Sequence, residues 1–411
     1  MGGRFTVNIP EGVKFIINAL SERGHEAFIV GGCVRDIILG NTPKDWDITT
    51  SATPYEVKDI FGKVIETGIQ HGTVTVLING EAYEVTTYRI DGAYVDFRRP
   101  SNVLFTKNLE EDLMRRDFTM NAIAYRPETG FVDPYKGIDD IKQKIIRAVG
   151  DPDRRFNEDA LRMLRAIRFS CRLGFGIEEK TLRSIEENAR LIENISVERI
   201  RDEVIKAFSS EYIENIFYFE ENRLIKYALP QSGDYFYKKL RPVSADLKRL
   251  SKIKESSLSQ LFTLLFQYMA EEDFCGNLTY LKLDNKTFKE ATILRKHLFT
   301  PLPQNRYEVK KLINSIGYPC LLKLMELKKI KGEDIFYTES TSKEIIDNKE
   351  PVSLKDLKIN GNDMQKLLNI KGKAVGALLL MLLDDVMKSP ELNEKDILIS
   401  LGEKYKNSME L

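Results

Sequence analysis

Apolar positions at Val13, Ile16, Ile17 and Leu20 repeat with helical spacing, and the run AFIV at 27–30 reads as a short buried strand ending in Gly31-Gly32. Further strand patterns follow at WDITT, KVIET, TVTVLI and AYEVTTYR. The last two are joined by NGEA, whose Asn79-Gly80 pair is a strong hairpin signal, because a two-residue I′ turn needs positive φ at both central residues. Through residue 145 the pattern predicts a mixed sheet with flanking helices. Beyond IIRAVGDP the texture changes to long helical patterns with few β-branched runs. DPDRRFNEDALRMLRAIRFSCRLGF opens a strongly periodic helix, with Leu161, Leu164, Ile167 and Phe169 on or near one stripe and arginines on another. LPQSGD, TPLPQN and KINGND read as joints between helical subdomains. The mixed-sign stretch 331–350 reads as an exposed connection. The expected class is α+β, with an N-terminal mixed-sheet domain followed by all-helical parts.

Composition narrows this picture in three ways. At 411 residues the chain exceeds one ordinary core, and a prior of roughly 100 to 200 residues per domain suggests about three units. The 62 basic residues balance 62 acids, so any nucleic-acid contact has to come from local patches. Cys33, Cys171, Cys275 and Cys320 form no C-x-x-C pair, which argues against a zinc ribbon or a disulfide framework. With no leader pattern and no apolar span of membrane length, the expectation is a cytoplasmic protein with reduced thiols and no membrane partner.

Candidate chemistry concentrates in GGCVRDIILGNTPKDWDIT, residues 31–49. A glycine pair after a strand serves any tight turn, but here Arg35 follows within one helical turn, where phosphate is favoured. The stretch lacks both G-x-G-x-x-G and G-x-x-x-x-G-K-[ST], which argues against a dinucleotide fold and a P-loop ATPase. Asp45 and Asp47 are two apart, so on a strand their carboxylates would share one face and repel. A divalent cation removes that penalty, and magnesium commonly uses one or two carboxylates plus substrate phosphates. Glu84 lies on a strand that could sit beside the aspartates, and three acids could hold two metal ions for in-line displacement at phosphorus. His71, beside a glycine turn, is read as a structural hydrogen-bonder.

The order Gly31-Gly32, Arg35, Asp45-x-Asp47, Glu84 resembles the nucleotidyltransferase superfamily of DNA polymerase β. EEDLMRRDFTMNAIAY and RRFNEDALRMLRAIRFSCRLGF are similar, much more specifically, to bacterial class II CCA-adding enzymes and their poly(A) polymerase relatives. LKINGNDM and KGKAVGALLLMLLDDV are similar to the tail of bacterial members. The resemblance implies a catalytic head at 1–145, a base-recognising neck at 146–208, a helical body at 209–330 and a tRNA-binding tail at 331–411. It implies that Asp45 and Asp47 ligate Mg2+, with Glu84 completing the catalytic carboxylates. Gly32, Arg35 and Arg116 would contact the incoming nucleotide, and Asp159, Arg162, Arg165 and Arg168 would bind it from the neck helix. Trp46 departs from the family, which more often has a small aliphatic there; strand alternation would pack it under the sheet, away from the acids.

Residues 159, 162 and 165 recur every three positions, so on a helix they lie near one face. Cytosine and adenine both offer a ring-nitrogen acceptor beside an exocyclic amine, whereas uracil and guanine carry a ring N–H beside a carbonyl. A carboxylate acceptor beside a guanidinium donor suits the first pair and rejects the second without a template. The bland alternative is a salt-bridge-laced exposed face. The implied acceptor is the tRNA 3′ end, with CTP and ATP as substrates. YRIDGAYVDFRRPSNVLF, 88–105, reads as a mobile loop near the acids, of the sort that helps the family add the final adenosine. KKLRPVSADLKRLSKIK and RYEVKKLINS could supply phosphate contacts or be ordinary solvated helix faces. An A-adding enzyme working with a CC-adding partner, a poly(A) polymerase, and a catalytically dead RNA-binding scaffold are the rival readings.

Overall fold

Seven short strands make the sheet that carries the acids. They are β1 (Ala27–Val30), β2 (Asp47–Thr50), β3 (Val64–Gly68), β4 (Thr73–Ile78), β5 (Glu81–Thr87), β8 (Ala124–Arg126) and β9 (Gly130–Val132), with β6 (Arg89–Asp91) and β7 (Val103–Phe105) forming a separate hairpin. The computed structural model describes residues 8–92, 103–218, 223–370 and 372–408. The sheet order is β3-β4-β5-β2-β1-β8-β9. Only β2 and β5 run parallel; every other neighbouring pair is antiparallel. All four residues of β1 are buried, as the continuous apolar run requires of a central strand. Asn79 (φ 52°) and Gly80 (φ 87°) make the left-handed β4–β5 turn that the sequence predicts. Helix α1 (Glu11–Glu22) buries Val13, Ile16, Ile17 and Leu20. Helix α2 (Gly32–Ile38) starts at the glycine pair, and α3 (Pro54–Ile60) is fixed by a reciprocal Thr53–Glu56 capping box. Most of the loop read at 88–105 lies outside the described residues; β6 and β7 are its base.

The periodic segment from 151 is two helices rather than one. Helix α4 is Leu109–Met114 and α5 is Gly137–Gln143; α6 (Pro152–Glu158) then ends at Asp159, and α7 (Leu161–Leu173) begins two residues later. Asp159 adopts extended backbone (φ −146°, ψ 101°), and its Oδ1 accepts the Leu161 N–H at 3.1 Å. An aspartate that caps the next helix competes with continuation of the previous one, and the hydrophobic period does not register that choice. Leu161, Leu164, Ile167 and Phe169 are buried as expected, but Arg162 and Arg168 are buried too. Helices α8 (Glu179–Asn188) and α9 (Val197–Phe208) pack nearby, α9 against α7.

By contacts the chain divides into Met1–Lys252 with Thr279–Lys282, and Ile253–Leu278 with Leu283–Leu411. The boundary after Lys252 falls inside the stretch 209–330. Within the second unit, the 331–350 segment is not an exposed connection: a helix at Phe336–Asp347 buries Thr338, Thr341, Ser342 and Ile345. Its inward face is mostly hydroxyl-bearing, which hides it from an apolar-periodicity reading. RYEVKKLINS is likewise not a simple solvated face. Lys310 is buried, pairs with Glu350 at 2.8 Å and donates to the Met387 carbonyl at 3.1 Å. A separate C-terminal core gathers Ile359, Met364, Leu378, Leu382 and Val386.

Candidate active site

Gly31 lies at φ +82°, and a Cβ built there would stand 3.2 Å from Arg116 Nη1 and 3.9 Å from Asp47 Oδ2. The positive φ calls for glycine, and an added Cβ would also crowd the Arg116 guanidinium, while Asp47 stands at ordinary contact distance. Helix α2 has only seven residues, so its dipole is a minor source of positive field and charge here comes from side chains. Arg35 is buried; its Nη1 donates to Asn121 Oδ1 at 2.7 Å, and its Nε and Nη2 donate to Asp36 Oδ1 at 3.0 and 2.7 Å. Arg116 Nη2 donates to Asp112 Oδ2 at 3.1 Å, while its buried Nε has no hydrogen-bond partner among the described residues. Although burial works against it, the Asp112 carboxyl is held low by Arg116 and Arg115.

Only one of the two aspartates is on a strand. Asp47 opens β2 and stands in register with Glu84 on the parallel neighbour β5, so the strand-to-strand spacing of about 4.8 Å brings these two backbones together. Asp45 sits in the preceding bend, where strand alternation does not apply. Position 46 escapes it as well: Trp46 is partly exposed and lines the same cavity as the acids instead of packing beneath the sheet. That cavity, about 780 Å³, is lined by Lys44, Asp45, Trp46, Asp47, Tyr83 and Glu84 among others. A second cavity of about 690 Å³ shares Lys44, Asp45 and Asp47 but adds Gly32, Arg35 and Arg172. Asp47 remains open to solvent, yet its carboxyl is raised by desolvation in the cleft and by Glu84 and Asp45, against Arg116. Clustered acids that destabilise one another's charge suit a divalent cation. Among the described residues no three His, Cys, Asp or Glu side chains converge into a group that could hold a metal alone. A pair of carboxylates that substrate phosphates complete is the arrangement such an incomplete set fits.

The neck arginines are engaged rather than free on a surface. Asp159 forms a bidentate pair with Arg199, at 3.2 Å (Nη1 to Oδ1) and 2.8 Å (Nη2 to Oδ2). With Leu161 N–H also on Oδ1, three of its roughly four acceptor positions are used and one remains on Oδ2. Arg162 donates to Glu158 (2.8 Å) and to the Arg155 and Arg115 carbonyls (3.1 and 2.9 Å), so two of about five N–H groups stay uncommitted. Arg165 grips Asp117 Oδ2 through Nε (2.9 Å) and Nη2 (2.6 Å), and Arg168 grips Glu203 at 2.5 Å. The Phe169 ring lies 5.3, 5.5 and 4.0 Å from the guanidinium carbons of Arg35, Arg165 and Arg168. Asn121 closes a chain across the site: it accepts from Arg35 and donates to Asp117 Oδ1 at 3.1 Å. Sequence reasoning missed Asp117, Asn121, Phe169, Arg199 and Glu203 as partners. Asp117 and Asn121 sit in RRDFTMNAIAY, but only the fold brings them under the arginines.

Burial alone would raise the Asp117 carboxyl; Arg165, Asn121 and Arg162 outweigh it and hold it near a pKa of about 2. Its charge therefore stabilises the fold by about 2 kcal/mol above the unfolded carboxyl's pKa, and this is lost as pH falls toward the native value. Asp117→Asn is expected to lower the melting temperature at pH 7 and to flatten its dependence between about pH 5 and pH 2. Calorimetry across that range checks it; an unchanged slope would contradict the pairing.

Residues 27–147 match the poly(A) polymerase head domain, and 174–234 match a domain described as a probable RNA and SrmB-binding site of polymerase A. The CCA-adding enzyme of Lactobacillus helveticus is 41% identical over 314 residues, covering 75% of this chain and 78% of that protein. The CCA-adding enzyme of Ligilactobacillus salivarius is 35% identical over 407 residues, covering 97% and 98%. Among solved structures, the Bacillus stearothermophilus CCA-adding enzyme in complex with CTP superposes with a TM-score of 0.84 at 31% identity, over 98% of this chain and 99% of that one. No helix among the described residues is long and apolar enough to cross a membrane. With similarity running from end to end and a mixed-sheet acid site leading into helices, the chain belongs to the class II CCA-adding enzymes.

Proposed function

We propose that this protein adds C, C and A to the 3′ end of tRNA from CTP and ATP, in the cytoplasm, with no nucleic-acid template. The full-length likeness to CCA-adding enzymes carries the reading. In it, 1–145 act as head, 146–208 as neck, 209–330 as body and 331–411 as tail. Asp45 and Asp47 hold Mg2+ together with the triphosphate, and Glu84 completes the carboxylate set. Bound there, Mg2+ would offset the acids' charge and polarise the phosphate oxygens. Arg35, Arg116 and the Gly32 backbone receive the phosphates. The acceptor's 3′ oxygen bonds to the α-phosphorus, the bond to the β-phosphate oxygen breaks, and pyrophosphate leaves; the hydroxyl proton passes to water or a neighbouring carboxylate.

Base choice rests on Asp159 and Arg162, with Arg165 and Arg168 bracing the neck. The one remaining acceptor position on Asp159 and the uncommitted donors on Arg162 match an exocyclic amine beside a ring nitrogen, the edge that C and A share. The test offers tRNA ending before CCA, after C and after CC, each with labelled CTP or ATP and Mg2+. Stepwise addition ending at CCA is expected. Incorporation of A alone onto the CC end would make it an A-adding enzyme, and an unlimited A tract on any RNA would make it a poly(A) polymerase.

A further inference from the structure

Trp46 is the chain's single tryptophan. It is neither in the core nor fully exposed, and it borders the cavity that contains Asp45, Asp47 and Glu84. Among the described residues its ring pairs with no other aromatic and its indole N–H donates to no acceptor. A partly exposed indole that has no aromatic or hydrogen-bond partner among the described residues, and that borders an acid cluster, is available to a ligand.

The two cavities that share the aspartates differ in charge, and this says which ligand. The one holding Gly32 adds Arg35 and Arg172 to Lys44. The one holding Trp46 has Lys44 as its cation but adds Glu81 and Glu84 to the aspartates. A triphosphate tail, the most densely charged part of either substrate, is better matched by the arginine-lined cavity, which leaves the more acidic one to the less densely charged acceptor end. In-line displacement places the attacking and leaving oxygens on opposite sides of phosphorus. If pyrophosphate departs on the arginine side, the acceptor's 3′-hydroxyl enters from the Trp46 side.

We propose that Trp46 is the stacking platform for the terminal base of the RNA acceptor, setting the 3′ end opposite the leaving group. The inference rests on the transfer reaction proposed above. Stacking suits this task because every base presents a π-face, and the terminal base of the acceptor changes after each addition.

The lone tryptophan reports on its own site in the unmodified protein. Without metal, tRNA lacking CCA is expected to quench its fluorescence, the same tRNA with an abasic terminal nucleotide to quench it far less, and CTP alone to leave it unchanged. In steady-state assays Trp46→Ala should raise the KM for tRNA roughly 5- to 150-fold, with the KM for CTP within about twofold, and Trp46→Phe should recover most of the loss. Quenching by CTP alone, equal quenching by the abasic acceptor, or an unchanged tRNA KM in Trp46→Ala would each overturn the proposal. A wild-type protein that extends none of the three acceptors would instead overturn the transfer reading itself.

Discussion

Replacing Asp47 by alanine is expected to lower nucleotide transfer by roughly a thousandfold or more while changing tRNA affinity only slightly. Asp47 is the acid most tightly placed by the fold. It opens β2 opposite Glu84 and lies within reach of Arg116 across Gly31. Removing it takes away a carboxylate that no neighbour can replace, because Glu84 is fixed on its own strand and Asp45 sits in a bend. Asp45→Ala is expected to behave similarly. Single-turnover transfer of labelled CTP measures the loss, and a gel-shift titration measures tRNA binding. Retention of more than a tenth of the wild-type rate in either variant would remove these residues from the chemistry. A second readout separates charge from packing. Desolvation, Glu84 and Asp45 raise the Asp47 carboxyl in the native state. A carboxyl raised on folding favours the native state at low pH, and that advantage is lost as pH climbs through its native pKa. In chelator-treated buffer at neutral pH, Asp47→Asn should therefore melt at or above the wild-type temperature although inactive. Added Mg2+ should stabilise the wild type and not the variant.

How legible this was in the sequence depends on what each signal measures. The sheet could be read strand by strand, because AFIV, TVTVLI and the Asn79-Gly80 turn are local patterns with local causes. The positions of Gly31, Arg35, Asp45 and Asp47 were legible as a group, since they fall within 17 consecutive residues. Alternation failed for Asp45 and Trp46 because β2 starts at Asp47, and a strand's first residue is set by its pairing with β1 and β5 rather than by its own composition. The neck showed the same limit. Its apolar stripe was visible, but the break at Asp159 comes from a side chain capping the next helix. The arginine face was ambiguous from sequence, where it resembled a solvated surface. Arg168 is buried and Arg165 half-buried, and Glu203 and Asp117, 35 and 48 positions away from them, supply the counter-charges. Buried guanidiniums survive only with such partners, and nothing in a single segment reveals them.

Changing Asp159 is expected to alter which nucleotide is used more than how fast the preferred one is added. Its side chain has one acceptor position left after Arg199 and Leu161 take the others, so in the wild type it offers a base edge an acceptor and no donor. Uracil turns a carbonyl toward that point, and two acceptors facing each other in a desolvated pocket exclude it. Asp159→Ala removes the exclusion together with the amine contact, and should lower discrimination of CTP over UTP by roughly 10- to 100-fold. Asp159→Asn goes further in kind, because an amide can rotate to present N–H to the uracil carbonyl. UTP incorporation should therefore rise more in the asparagine variant than in alanine, an order that simple loosening of the neck would not produce. Both changes leave Arg199 without its carboxylate, so melting temperatures must be measured beside the kinetics to separate specificity from stability. The ratio of kcat/KM for CTP and UTP decides the matter. An unchanged ratio in both stable variants would refute base reading by Asp159, and equal relaxation in both would refute the rotated-amide account while keeping the acceptor role.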